Sequence, residues 1–436
     1  AQHNDHPVFF PSLIWLPILH YFENYQTLLF LVGCAITLAT LFLWIVSLGR
    51  SPTLGLTHRL ALGLLMTVST LWLGKANITA SGGFSAMNSL ATTAVLAGLL
   101  ALSFLRTAEG VKRIGLLALV ISSGLVATFS FATGLAAWPA YLLLAVFRRS
   151  GGRVACLLGA SGLFAAVVFL LLPNDSKSEI GAGLGQIIFA LPVLLLHFLQ
   201  VLGSPWLHYA SESAFDGSPA GWTYLTSAFL GGLGLAFAAW MAWRRYRAVR
   251  VYEPAETVAL GMTFFILGSI ALIVLGRTGL MTVRPDDVFA PRYCFWSPFF
   301  WAALPVLTLY SWARLCAFPS LFGLLALALT LGAIPSQVKI GQAYSQGRKV
   351  TETAALRLVC GVEDEASLQQ LFRNNLFSAK IIYPLARIYR ARSLDMFAWP
   401  GASLVGQRMP PPEDLPSQLP GTIWPLEGGC DSSTNT

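Results

Sequence analysis

Charge is scarce in this chain of 436 residues: Asp, Glu, Lys and Arg make up 11% of it, against 55% hydrophobic residues. Soluble domains carry about a quarter charged residues, so the composition excludes an ordinary water-soluble fold. Charge is scarcer still inside the long apolar runs, where no Asp, Glu, Lys or Arg lies near mid-span. Ion-coupled transporters and pumps rely on ionisable groups at that depth, which counts against that class. The sequence has no Walker motif, no HExxH, no CxxC and no GxSxG, and so lacks the local chemistry of the common soluble enzymes. Gly181-Ala-Gly183-Leu-Gly185 misses the GxGxxG spacing and has no strand before it, so it is read as a loop. Cysteines number only six. Cys34 and Cys156 sit in apolar runs as small hydrophobes, whereas Cys360 and Cys430 share the C-terminal segment, where a disulfide between them is expected in an oxidising compartment. The first residue is Ala1, and an upstream signal or first helix is expected, which makes any span count a minimum.

What the chain has instead is apolar length. Mean hydropathy is +0.65, and runs long enough to cross the hydrocarbon, which takes roughly 20 residues, occur ten times. They lie near 27–48, 58–74, 84–105, 114–130, 134–147, 154–172, 223–243, 257–276, 295–313 and 318–335. The expected fold class is therefore all-α, a polytopic transmembrane helix bundle of about ten spans. The run 134–147 is short, and 114–147 reads equally as one bent hairpin around Thr133-Gly134. Pro7 to Phe22 is broken by Pro7, Pro11 and Pro17 and is expected along the interface. Residues 187–203 carry Pro192 and His197 and are expected to form a re-entrant or surface helix that does not cross.

The charge balance of +8 comes with an alternation. With the N-terminus outside, Arg50, Arg59, Arg106, Lys112, Arg113, Arg148, Arg149, Arg153, Arg244, Arg245, Arg247, Arg250 and Arg314 all fall on cytoplasmic connections, 13 of the 28 basic residues. Basic loops at a membrane account for the positive charge without a nucleic-acid partner. Residues 1–335 then form the transmembrane domain with external loops 1–26, 173–222 and 277–294. Residues 336–436, with ten basic and nine acidic side chains, form a small external cap that is mainly helical. Helices are expected over 363–372 and from Pro384, and the Pro-rich tail after Pro410 is expected to be extended.

The stretch Arg277 to Tyr293 draws attention because it holds Arg277, Arg284, Arg292, Asp286 and Asp287 between two apolar runs. Several arginines at one membrane surface suit an anionic ligand, and equally suit helix anchoring to lipid headgroups or pairing with Asp286 and Asp287. At the chain start, Gln2-His3-Asn4-Asp5-His6 is either a solvated terminus or a polar cluster ahead of the aromatic interfacial stretch.

These segments, together with Thr133-Gly134-Leu-Ala-Ala-Trp138-Pro139, Ala290-Pro-Arg292-Tyr293 and Arg392-Ser-Leu-Asp-Met-Phe397, resemble the GT-C-fold glycosyltransferases of bacterial membranes that use polyprenyl-phosphate sugars. The resemblance implies residence in a bacterial inner membrane with the C-terminal segment extracytoplasmic. It implies sugar transfer from a polyprenyl-phosphate donor to an extracytoplasmic glycan or lipid acceptor, with the bilayer as the other partner. Asp5 would be the catalytic base, with His3 and His6 orienting it; Arg277, Arg292 and Tyr293 would bind the donor phosphate, with Arg284 also a candidate. No cofactor is implied, and a divalent metal on His3, Asp5 and His6 is the one candidate ion. A non-catalytic lipid-linked glycan binder or flippase, or a transporter, is the alternative.

Overall fold

The computed structural model describes residues 2–3, 6–22, 25–72, 83–172, 184–210, 221–248, 252–283, 285–290, 292–312, 319–362, 379–391 and 397. A ladder of two residues each, Gln2–His3 (β1) against His6–Pro7 (β2), sets His3 opposite His6. Helices follow: α1 (Phe9–Tyr21), α2 (Tyr25–Gly49), α3 (Leu56–Thr70), α4 (Gly83–Phe104), α5 (Gly110–Thr128), α6 (Ala137–Phe147) and α7 (Gly152–Leu171). After them come α8 (Leu184–Ala210), α9 (Gly221–Ala248), α10 (Pro254–Val283), α11 (Ser297–Ser311), α12 (Pro319–Cys360) and α13 (Ala379–Ala391). Short 3-10 turns, Ala132–Ala136 and Pro285–Phe289, precede α6 and α11. Among the described residues, eight helices are long and apolar enough to cross a membrane, and the chain is an integral membrane protein of all-α architecture.

Seven of the ten expected spans coincide with such helices. The other three are corrected in length: 58–74, 134–147 and 295–313 become α3, α6 and α11, of 15, 11 and 15 residues. Around Thr133-Gly134 the chain makes a turn between α5 and α6, as the hairpin reading of 114–147 has it, and Gly134 lies against the backbone of Ala127 where no Cβ fits. The eighth long helix is α8. Residues 187–203, expected as a re-entrant or surface helix that does not cross, form the middle of this helix of 27 residues, whose Ala190–Leu207 window is long enough to cross. Its length exceeds the expectation because Pro192 and Pro205 are both accommodated inside it. Helix α1 has 13 residues, too few to span.

Helix α10 is the axis of the first unit. It packs on α2, α4, α6, α8, α11 and both 3-10 turns, and 67% of its apolar window is buried against 22% for α5 and α7. In lipid no hydrophobic drive pushes helices together, so close approach rests on small residues and hydroxyls. Trp138 fills the space left by Gly124 and Gly162, where a Cβ on either would sit 2.8 Å from its side chain, and its Nε1 donates to Thr128 Oγ1 at 2.9 Å. Thr37 and Ser89 (3.1 Å) and Thr40 and Thr93 (2.7 Å) join α2 to α4 as parallel neighbours. Gly203 and Gly231 let α8 and α9 touch backbone to backbone.

Pro205 explains how α8 is held. Lacking an N–H, it leaves the carbonyl of Val201 without its helical donor. That carbonyl instead accepts from Ser204 Oγ (2.8 Å) and Ser297 Oγ (2.7 Å), while its neighbours Gln200 and Leu202 accept from Ser227 Oγ (2.6 Å) and Trp301 Nε1 (2.8 Å). The proline in the helix thus frees the one acceptor, Val201 O, that Ser297 at the start of α11 uses.

Contacts divide the chain after Arg348, inside α12 rather than at the expected boundary of 335. In the second unit α12 ends at Gly361, whose φ of +77° lets Val362 N–H reach Arg357 O at 2.8 Å. Arg390 on α13 donates to the carbonyls of Leu358 (2.9 Å) and Val359 (2.6 Å), neutralising that helix end. Helix α13 starts at Ala379, ahead of the expected Pro384, because Pro384 sits tolerated inside it. Cys360 is exposed at the end of α12, and the expected bridge to Cys430 cannot be placed because its partner falls outside the described residues. Cys430, the expected helix over 363–372 and the tail after Pro410 lie outside the described residues.

Candidate functional site

Two ends of the first unit can be told apart from their contacts. At one, the carboxy ends of α2, α4, α6, α9 and α11 meet the start of α10. Ala255 N–H donates to Ser51 Oγ at 2.9 Å, Tyr310 OH to Glu253 Oε2 at 2.9 Å, and Arg148 to the carbonyls of Leu102 and Ser103. Here stand the exposed Arg50, Arg106, Lys112, Arg113, Arg149, Arg153, Arg244 and Arg247. Helices α5 and α7 start here and lead toward the opposite end.

That opposite end holds the residues selected from the sequence. Phe10 N–H reaches Phe129 O at 3.4 Å, which brings the start of α1, and with it β1 and β2, to the carboxy end of α5. The following turn places Phe131 in a stack on Trp296, ring centroids 5.8 Å apart, and Ser269 of α10 donates to the carbonyl of Thr133 at 3.4 Å. Just before Trp296, Tyr293 is buried and Arg292 is exposed with its guanidinium 4.8 Å from the centre of the Tyr293 ring. Arg277 is half-buried near the end of α10. The Thr133 to Trp138 segment and the Arg292-Tyr293 segment, 150 or so positions apart in sequence, are therefore neighbours through Phe131 and Trp296. Ser130 Oγ, Thr133 Oγ1 and Trp296 Nε1 are buried there without a hydrogen-bond partner.

Asp5 and Arg284 lie outside the described residues, as do the side chains of His3, His6, Asp286 and Asp287. Among the described residues no group of three His, Cys, Asp or Glu side chains is placed to hold a metal. Arg292 is brought onto Tyr293, and Arg277 lies near the end of α10.

The sequence reading missed the polar network at the arginine-rich end. Arg245, expected to reach water, is buried and paired with Glu256, which is fully buried in the first turn of α10. Nη2 donates to Glu256 Oε2 at 2.7 Å and Nε faces Oε1, a two-pronged pair, while Nη1 donates to Tyr310 O at 3.3 Å and the guanidinium lies 5.3 Å from the Tyr252 ring centre. Burial, then Glu256, raises the Tyr252 pKa. Burial, then the nearby Arg106, lowers that of Arg148 to about 10, which leaves it charged at neutral pH. A signal was present in the sequence: Pro254-Ala-Glu256 is a helix start with an acid in its first turn, directly after four arginines. Its span-edge position disguised it.

No protein-family model matches the chain, and neither a curated protein nor a solved structure is similar to it. Function therefore rests on the site alone.

Proposed function

We propose that the protein is an inverting membrane glycosyltransferase that moves a sugar from a polyprenyl-phosphate donor to an extracytoplasmic glycan or lipid acceptor at a bacterial inner membrane. The observation that supports this most is the grouping of Arg292 on Tyr293 with the Phe131 and Trp296 stack at one end of the bundle. A guanidinium beside aromatic rings at a membrane edge suits a phosphate whose lipid tail lies in the bilayer and whose sugar packs on a ring. Buried hydroxyls at Ser130 and Thr133 are donors of the kind a sugar hydroxyl needs.

In this reading Asp5 takes the proton of the acceptor hydroxyl, whose oxygen forms the new bond to the anomeric carbon. The bond from that carbon to the phosphate oxygen breaks, and its electron pair leaves with the lipid phosphate. Arg292 and Arg277 stabilise the charge that grows on that oxygen, and His3 and His6 orient the base. The test is transfer by the reconstituted chain from a polyprenyl-phosphate sugar. Asp5→Asn should abolish turnover and keep donor binding; equal turnover in Asp5→Asn and the parent removes the assigned base. Donor binding by the parent without any transfer gives the site to a binder or flippase.

A further inference from the structure

The turn between α6 and α7 carries a feature that sugar transfer does not use. Helix α6 ends in the same kind of turn as α12: Arg149 N–H bonds Val146 O at 3.0 Å and Ser150 N–H bonds Ala145 O at 2.9 Å, which needs a left-handed residue between them. At the end of α12 that residue is Gly361; at the end of α6 it is Arg149, at φ +51°. An L-residue with a long side chain is strained there, where glycine is not. The arginine is thus held at a cost to the fold, and it lines a cleft.

The cleft has a volume of about 300 Å³. Val146 and Ala155 give it an apolar side, Arg149 and Ser150 a polar one, and Gly151 and Gly152 bare backbone that a ligand can approach closely. Neighbouring Arg148 is turned inward to the carbonyls of Leu102 and Ser103, so it is not available to a ligand. Arg149 and Arg153 are exposed, and among the described residues neither is in an ion pair. Helix α7, a membrane-length helix, begins at Gly152, which puts the cleft at the bilayer surface, and Val146 is half exposed on the adjoining side of α6. Cationic rim, apolar wall and interfacial depth together match one ligand chemistry.

We propose that this cleft binds the phosphate of an anionic phospholipid headgroup, with Arg149 as the contacting cation and Val146 and Ala155 against the start of the lipid tails. Arg153 adds to the local potential. The site stands apart from the Arg292 end and does not depend on the transferase reading.

The test uses the full chain in detergent, titrated with phosphatidylglycerol, phosphatidylcholine or inorganic phosphate and read by native mass spectrometry. Arg149→Gly should weaken one phosphatidylglycerol site about fivefold or more, and its melting temperature should hold or rise because glycine relieves the left-handed strain. Arg149→Gln, which keeps a side chain, should lose the same site. Arg113→Gln removes an equal charge from the same end and should change nothing. Unchanged phosphatidylglycerol binding in Arg149→Gly, or an equal loss in Arg113→Gln, overturns the proposal. Phosphatidylcholine binding that falls in parallel shows that the headgroup charge is not read, and overturns it too. Inorganic phosphate that binds the parent and is lost in Arg149→Gly, with phosphatidylglycerol binding unaffected, assigns the cleft to a soluble anion and overturns the lipid.

Discussion

Ser297 Oγ donates a 2.7 Å hydrogen bond to the carbonyl of Val201, the acceptor that Pro205 leaves without its helical partner. The two residues are 96 positions apart. Their bond ties the start of α11 to the middle of α8, and it exists because of the proline, so the two effects are coupled.

Ser297→Ala should destabilise the protein by about 1 kcal/mol, the usual worth of one such bond while Ser204 still serves the carbonyl. In a Pro205→Ala background the helical N–H returns and the Ser297→Ala penalty should fall to less than half. A double-mutant cycle on thermal unfolding in detergent measures this, and additive penalties would separate the proline from the hydroxyl.

The Arg245 and Glu256 pair should behave as a buried ion pair. Removing one partner, as Arg245→Met or Glu256→Gln, leaves the other charge or its hydrogen bonds uncompensated, at a cost of about 3–5 kcal/mol for the lost charge partner. Arg245→Met combined with Glu256→Leu should recover most of the loss, since two apolar groups of similar volume need no partners. A double variant as unstable as the worse single one would show that the site has a requirement beyond charge balance.

Tyr252 gives a dependence on pH. Its pKa is raised in the folded protein, so above the ordinary phenol value of about 10 the unfolded chain releases a proton that the folded one keeps. The folded state then binds more protons, and stability falls as pH rises beyond that value. Tyr252→Phe keeps the ring beside Arg245 and removes a buried hydroxyl that has no hydrogen-bond partner. Its melting temperature should match the parent at pH 7 and drop less steeply between pH 9.5 and 11; parallel curves would exclude Tyr252 as the source.

At the proposed donor site, Arg292→Ala should weaken polyprenyl-phosphate binding by about 2–5 kcal/mol. Arg292→Lys should recover only part of it, because an ammonium cannot reproduce a two-pronged contact or the stacking on Tyr293. Binding curves on labelled donor in nanodiscs decide the matter, and unchanged affinity in Arg292→Ala returns the arginine to helix anchoring.

Membrane topology offers a last check. On the charge pattern of the sequence, residues 173–222 stay on one side, so cysteine reporters near Gly181 and near Asp216 should react alike with an impermeant reagent added from that side. Protection of one and labelling of the other would place a net crossing in residues 173–220.

Amino-acid order alone determined the membrane class, the helical architecture and most spans, because twenty apolar residues in lipid have no other way to satisfy their backbone than a helix. It also singled out Arg292 and Tyr293, since charge at a span edge is conspicuous in so apolar a chain. It did not reveal that Phe131 stacks on Trp296, that Arg245 turns inward to Glu256, that α8 is long enough to cross, or that Arg149 replaces a glycine. The Phe131 stack needs a partner far away in the sequence, the Arg245 pair needs two helix ends brought side by side, α8 needs its two prolines tolerated inside it, and Arg149 shows itself only through a backbone angle. A residue's periodicity states which face it occupies, while the identity of the neighbour on that face is settled only when glycines, a proline and opposed hydroxyls bring particular helices into contact.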